Sequence, residues 1–411
     1  MNFLKKHFNL KTLILLVFIL RSALSLLPPM AIDQSCWRAW SQRLVDLGPA
    51  EFYSETVFTA NPPGFLYVFW LLGEIKNSLF PQISFSSSGY DWFLKLPNNL
   101  ADIAAGVLIY LLIKTKRGIG IAKLGFLLYT LNPITWFNSS VYGQFDGSAA
   151  FFGLLAVYLL LTKRKLSLSA AVFALAWAIK PQLIALAPAL GLLAIFRFKP
   201  IDWFKAALAF ISTTLIIYWP FFPGNPVKGI ISVFQQMANL YSCASCFTFN
   251  FWGLWGNWFP DTTVLLGLSF MSWGIILVGL NLIVVLLLKP LKLRYRLPYL
   301  YLTIAISILS FNMLVTRMHE RYVFPFFAFF LLAAILMKSR LLFVFYLIFS
   351  IFNTFNVYYP YSYYNPDFHL TPALINWLNQ NFQLLSVIGL AIYLILLTHF
   401  LITLKRLRKK S

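Results

Sequence analysis

The residues best suited to chemistry in this chain stand together in one short stretch, Thr316-Arg317-Met318-His319-Glu320-Arg321-Tyr322. Two guanidiniums and an imidazole can hold a phosphate, with Glu320 orienting one of them. The same groups can also satisfy one another as an internal ion-pair network. A hydrolytic His/Glu arrangement lacks a partnered nucleophile. Apolar runs flank the stretch, Leu297–Leu314 before it and Phe324–Met337 after it. Charges pinned between membrane-length segments must lie at a membrane surface or in a polar cavity, because isolated charges in hydrocarbon are costly.

Four further polar positions fit such a site. Asp33, in Ala31-Ile32-Asp33-Gln34-Ser35, suits an N-cap before the helical period of Trp37, Trp40 and Leu44, and equally a general base at the membrane surface. Val141-Tyr142-Gly143-Gln144-Phe145-Asp146-Gly147 offers the Gln144 amide and the Asp146 carboxylate between two glycines that allow close backbone approach. Asp146 can instead cap the helix that follows. Lys180, ahead of Pro181, is either a snorkelling lysine at a helix end or a phosphate contact. Arg21 and Asp102 fall at comparable depth in their helices and are expected to form a buried pair.

The elements that must position these residues are transmembrane helices. The chain has 411 residues, of which 60% are hydrophobic and 11% charged, which excludes an ordinary soluble domain. A net charge of +21 would suggest nucleic acid in a soluble protein; here no nucleic-acid partner is expected, since Lys and Arg gather in loops of one face. Thirteen apolar segments reach helix length, beginning at Thr12–Leu27, which is read as an uncleaved first helix rather than a signal peptide. If Asn61–Phe80 lies along the outer surface as a juxtamembrane helix, about twelve segments cross. The basic loops at Lys5/Lys6/Lys11, Lys114–Lys123, Lys163–Lys165, Arg197–Lys205, Lys289–Arg296, Lys338/Arg340 and Lys405–Lys410 then share the cytoplasmic side. Both termini are cytoplasmic in this reading. The outer face receives Ile32–Pro63, Ser139–Gly147, Lys180-Pro181-Gln182, Pro220–Thr263, Thr316–Tyr322 and the aromatic-rich Tyr358–Phe382. Cys243 and Cys246 have the spacing of half a zinc site but no second pair, leaving a loop disulfide or two free thiols.

With those residues in view, the chain resembles the GT-C-type glycosyltransferases. It is most similar to mannosyltransferase-like proteins related to the second mannosyltransferase of GPI-anchor synthesis. The resemblance rests on Asp33 with Trp37, Trp40, Gly48 and Tyr53 leading to Asn61-Pro62-Pro63-Gly64, and on Lys95-Leu96-Pro97 with Asp102. It continues in Asn132-Pro133 with Tyr142-Gly143-Gln144-Phe145-Asp146 and Lys180-Pro181-Gln182, and in His319-Glu320-Arg321-Tyr322 with Pro325. It implies an all-α polytopic membrane fold of a single transmembrane domain, with a catalytic module over 1–200 and a variable helical module over 201–411. It implies an inverting hexosyl transfer, mannosyl in character, from a polyprenyl-phosphate donor to a lipid, glycan or protein acceptor on the non-cytoplasmic face of a bacterial plasma membrane. Asp33 takes the role of general base by position. Gln144, Asp146, Lys180, Arg317, His319, Glu320 and Arg321 are the expected substrate-binding residues. No Asp-x-Asp pair stands near Asp33, which argues for a metal-independent site with no cofactor. The rival reading is a transporter or flippase of a lipid-linked glycan; it calls for inverted repeats and interrupted helices at mid-membrane, and no clear internal repeat is present.

Overall fold

In a computed structural model, the structure describes residues 8–54, 57, 59, 61–287, 293–367 and 372–408. The basic positions Lys5, Lys6, Lys289, Lys292, Lys409 and Lys410 lie outside the described residues. The described chain is mostly helical. Among the described residues, five helices are long and apolar enough to cross a membrane: Ser88–Arg117, Pro200–Tyr218, Leu297–Leu314, Arg340–Tyr364 and Phe382–Leu407. Several further apolar helices are shorter than a full crossing.

The first half supplies α1 (Leu10–Leu24), α2 (Ala31–Leu47), α3 (Leu66–Leu79), α4 (Ser88–Arg117), α5 (Ile119–Thr130), α6 (Asp146–Thr162) and α7 (Leu166–Ile179). Helix α4 is the spine; it packs on α1, α5 and α6. The expected surface helix at Asn61–Phe80 is α3, shortened because its Pro-Pro-Gly start remains a turn. The second half carries α8 (Phe326–Met337), whose residues from Phe326 to Ala334 are all buried. A helix apolar on every side belongs inside the bundle, and at about 1.5 Å per residue its 12 residues are shorter than a typical bilayer core.

Three expected segments differ. Val264–Leu288, one of the thirteen apolar segments expected as helix, opens with a two-stranded hairpin, β2 (Val264–Leu265) against β3 (Leu268–Ser269), and its helix begins only at Phe270. Gly267, at φ +82°, makes that turn. The aromatic run from Tyr358 is not loop; it completes a 25-residue helix, α9 (Arg340–Tyr364), that runs through Pro360. The long Pro220–Thr263 connection contains an amphipathic helix, Pro226–Leu240, capped by Asn225.

Beyond that helix, Cys243 and Cys246 are disulfide-bonded. The bond closes a turn into β1 (Ser245–Cys246), which pairs in parallel with β4 (Met318–His319). This two-residue ladder carries the charged stretch between the helix ending at Leu314 and α8. Thr248 Oγ1 donates to the Met318 carbonyl at 2.7 Å, and Asn353 Nδ2 of α9 donates to the Glu320 carbonyl at 3.3 Å.

Arg21 and Asp102 form the expected ion pair, and both side chains are fully buried. The guanidinium also donates to Asn99 Oδ1 at 3.2 Å and to the carbonyls of Thr130 at 3.0 Å and Thr135 at 3.1 Å. It therefore ties α1 and α4 to the irregular end of α5. Removing one partner of a buried pair leaves an uncompensated charge and costs about 3–5 kcal/mol, whereas replacing both removes the charges together. Asp102→Asn is expected to lower the unfolding midpoint in detergent more than Arg21→Met with Asp102→Leu. A double variant that loses as much as the single one contradicts this.

Candidate functional site

The site is built around Phe145. Its ring stacks on Phe65 with centroids 4.6 Å apart and meets Trp37 edge-on at 5.0 Å. Trp37 in turn stacks on Phe69 of α3 at 5.4 Å. The period Trp37, Trp40, Ser41, Leu44 buries one face of α2 against these rings. With Phe145 anchored, its neighbours Gln144 and Asp146 are fixed in the same corner. Gly143 makes the turn possible: its φ is +90°, and a Cβ there would sit 2.9 Å from Gln34 Oε1.

Gln144 links two elements. Its Nε2 donates to Asp33 Oδ2, and its Oε1 accepts from Lys180 Nζ at 3.4 Å. Lys180 ends α7, and its ammonium lies 3.5 Å from Asp146 Oδ1 and 4.2 Å above the Phe145 ring. From the far end of the chain, Arg321 reaches Asp33 Oδ2 at 3.8 Å and binds Glu320 Oε1 tightly at 2.7 Å. The Tyr142 hydroxyl lies 3.4 Å from both Glu320 Oε1 and Arg321 Nη1. Residues 33, 144, 146, 180, 320 and 321, scattered over most of the sequence, thus form one connected network. It draws on both the 1–200 and the 201–411 stretches.

Neither aspartate is a cap. Met30 occupies the N-cap of α2, placing Asp33 inside the first turn, and Phe145 occupies that of α6, placing Asp146 at its first residue. Each carboxylate is thereby free to face side chains rather than backbone amides. Of the three carboxylates in the network, Asp33 alone keeps solvent access, at 20% of its side chain against 4% for Asp146 and 0% for Glu320.

Arg317 does not join them. It adopts φ +61°, and its side chain turns away to Asp261 Oδ2 at 2.5 Å and to the Ala238 carbonyl. Asp261 is fully buried, so its charge demands this partner. The guanidinium pair expected from the sequence is therefore a single guanidinium, Arg321. His319 sits at the edge, with Nδ1 3.8 Å from Glu320 Oε2 and its ring among Tyr241, Trp258 and Tyr322. Burial holds the imidazole below its ordinary range despite the carboxylate beside it. Burial also pushes the Lys180 ammonium down, against the pull of Asp146. For Glu320 burial works upward, but Arg321 and His319 outweigh it and keep the carboxyl below its usual value.

Two participants carry little sequence signal. The Gln34 amide is buried in the same corner with neither its nitrogen nor its oxygen partnered among the described residues. Only its place beside Asp33 could have drawn attention to it. Lys95, buried on α4, donates to the carbonyls of Ser25 at 3.1 Å and Leu27 at 2.6 Å just beyond α1. It closes that helix end in the way a C-terminal cation does, and its stem touches the Cβ position of Gly143.

The family model described as PIG-U, GPI transamidase subunit PIG-U, matches residues 42–268. The match takes in Gln144, Asp146 and Lys180 and stops short of Asp33 on one side and of Thr316–Tyr322 on the other. It is not a GPI mannosyltransferase family, the group toward which the sequence resemblance pointed. No curated protein matches the chain.

A buried neutral His319 has a consequence for stability. Its folded value lies below the ordinary imidazole value of about 6.5, so the unfolded chain takes up the proton first as pH falls. Stability is full above about pH 6.5 and declines as pH drops toward the folded value. In melting curves recorded between pH 8 and 5, His319→Gln is expected to flatten the loss that begins near that pH. An unchanged pH dependence in the variant contradicts a buried neutral imidazole.

Proposed function

We propose, from the premise that this chain belongs to the PIG-U family, that it is a multi-pass membrane protein handling a lipid-linked glycan, and that the network around Asp33 transfers its sugar. The observation that carries the reading is the solvent access of Asp33, the one open carboxylate in a network that also contains Lys180 and Arg321. A base that works on an incoming hydroxyl must be reachable; cations that receive a departing phosphate must be fixed beforehand.

In this reading the acceptor hydroxyl gives its proton to Asp33 as its oxygen bonds to the anomeric carbon. The bond from that carbon to the phosphate oxygen breaks, and its electron pair leaves with the polyprenyl phosphate. The configuration inverts, because attack and departure occur on opposite faces. The distances suggest where the phosphate enters. Arg321 is held closely by Glu320, at 2.7 Å, but its approach to Asp33, at 3.8 Å, is loose, as is that of Lys180 to Asp146, at 3.5 Å. Those two loose pairs leave cationic charge available to an incoming anion. Gln144, bonded to both Asp33 and Lys180, fixes the position of the base relative to the cation. His319 offers a neutral contact at the rim. Arg317 is left out of the site.

The finer topology belongs to the same reading: about twelve crossings, basic loops and both termini cytoplasmic, the site on the opposite face, and residues 1–200 as the catalytic module. The shorter apolar helices then cross where the bundle is thin. The family's description favours a second reading, in which the same network binds a glycolipid as part of a larger assembly and transfers nothing.

Incubating purified protein with a panel of polyprenyl-phosphate sugars, with and without chelator, separates the two. Transfer predicts donor consumption that chelator leaves intact. Asp33→Asn should lower it by about 10²–10⁴-fold, the usual contribution of a general base, with expression retained. Binding of the donor without turnover in the unaltered protein supports the subunit reading instead, and normal turnover in Asp33→Asn removes Asp33 as base.

A further inference from the structure

A second recess opens near His319, and its chemistry differs from that of the charged network. It is a cavity of about 670 Å³, within the size range of small-molecule sites. It is lined by Phe247, Trp258, Tyr363 and Tyr364 and by the amide residues Asn257, Asn379 and Gln380, among others. None of the described residues lining it is charged. We propose that this recess is a binding subsite for a neutral saccharide.

Three observations converge on it. The first is composition. A pyranose ring presents apolar C–H faces and a rim of hydroxyls; aromatic rings stack on the faces, and amides offer both donors and acceptors to the rim. A lining without cations does not select a phosphate or a carboxylate. The second is accessibility. The Trp258 side chain is 39% exposed and that of Tyr363 53%, although each is large and apolar enough to be buried elsewhere. Asn379 and Gln380 are exposed beside them.

The third is backbone conformation. Phe247 has φ +62° and Trp258 φ +58°, in the left-handed region that bulky residues rarely adopt. Two such aromatics in one recess are held there by surrounding structure. Phe247 N donates to Asn257 Oδ1 at 2.8 Å, Asn356 Nδ2 donates to the Phe247 carbonyl at 2.5 Å, and the Cys243–Cys246 disulfide closes the turn just ahead. Strain retained in this way marks positions kept for a task other than packing. An interfacial aromatic belt needs neither convergent amides nor left-handed backbone.

The recess adjoins the charged network. The Trp258 ring lies 6.4 Å from the His319 imidazole, and Phe247 pairs with His319 through the backbone. A saccharide bound here therefore ends at the rim of the site. That it is the acceptor glycan rests on the transfer reading; that the recess binds a neutral saccharide does not.

The test uses the full chain purified in a detergent without a sugar headgroup. Saturation-transfer NMR and calorimetry are run with methyl hexosides, with neutral di- and trisaccharides, and with glucuronic acid as charged control. Binding of a neutral saccharide is expected, with the uronic acid weaker. Trp258→Gly, which suits the left-handed backbone, and Tyr363→Ala, at an exposed ring, should each weaken it at least fivefold. No binding of any neutral saccharide, or affinity unchanged in both variants, overturns the inference. Asp33→Asn should keep the saccharide affinity while losing transfer. Saccharide binding by a protein that transfers nothing upholds the subsite and sinks the transfer reading; transfer without saccharide binding does the reverse.

Discussion

Charge cannot be left alone inside an apolar helical bundle, and that constraint shapes both polar centres of this protein. Arg21 and Asp102 answer it by pairing in full burial, with the carbonyls of Thr130 and Thr135 taking further guanidinium donors. The network around Asp33 answers it only partly. Three carboxylates share Lys180 and Arg321, one contact is tight, and the others stand at 3.5 and 3.8 Å. The first arrangement is finished as it stands and reads as architecture. The second has unsaturated charge and solvent access at Asp33, which is what a site awaiting a ligand requires.

The scaffold explains how one network gathers residues so far apart in sequence. Phe145 locks a turn into an aromatic cage, so Gln144 and Asp146 need no flexible search. The β1–β4 ladder and the Asn353 contact hold the backbone at Glu320. Side chains mounted on such rigid supports keep their geometry when a substrate arrives. The disulfide turn serves both the ladder and the recess near His319, so one covalent constraint positions two neighbouring surfaces.

Much of this was legible in the chain. Apolar segments of helix length gave the all-α membrane class, and matched depth in two helices gave the Arg21–Asp102 pair. The polar positions that converge were recognisable by standing between apolar runs. Arg317 was not separable from Arg321, because adjacent residues in a loop turn opposite ways for reasons that lie elsewhere, here the buried Asp261. Caps at Asp33 and Asp146 were reasonable from local propensity, yet tertiary partners took both carboxylates. The helix through Tyr364 was hidden because Pro360 and a cluster of tyrosines read as a loop, yet the helix runs through both. Gln34 carries no local signature, and Lys95 stands in the Lys95-Leu96-Pro97 motif with no role legible there, since what each one touches is set by its surroundings.

The account depends most on Asp33 and Gln144 being in contact. Cysteine replacement tests this directly, in a Cys36→Ser background that leaves the Cys243–Cys246 bond in place. With Asp33→Cys and Gln144→Cys introduced together, a short bifunctional thiol reagent that spans the reach of the two lost side chains should join the positions in native membranes, and fragments cleaved between them should remain linked. If both cysteines react with a small thiol reagent yet never link, the two residues do not meet, and the site described around them does not exist.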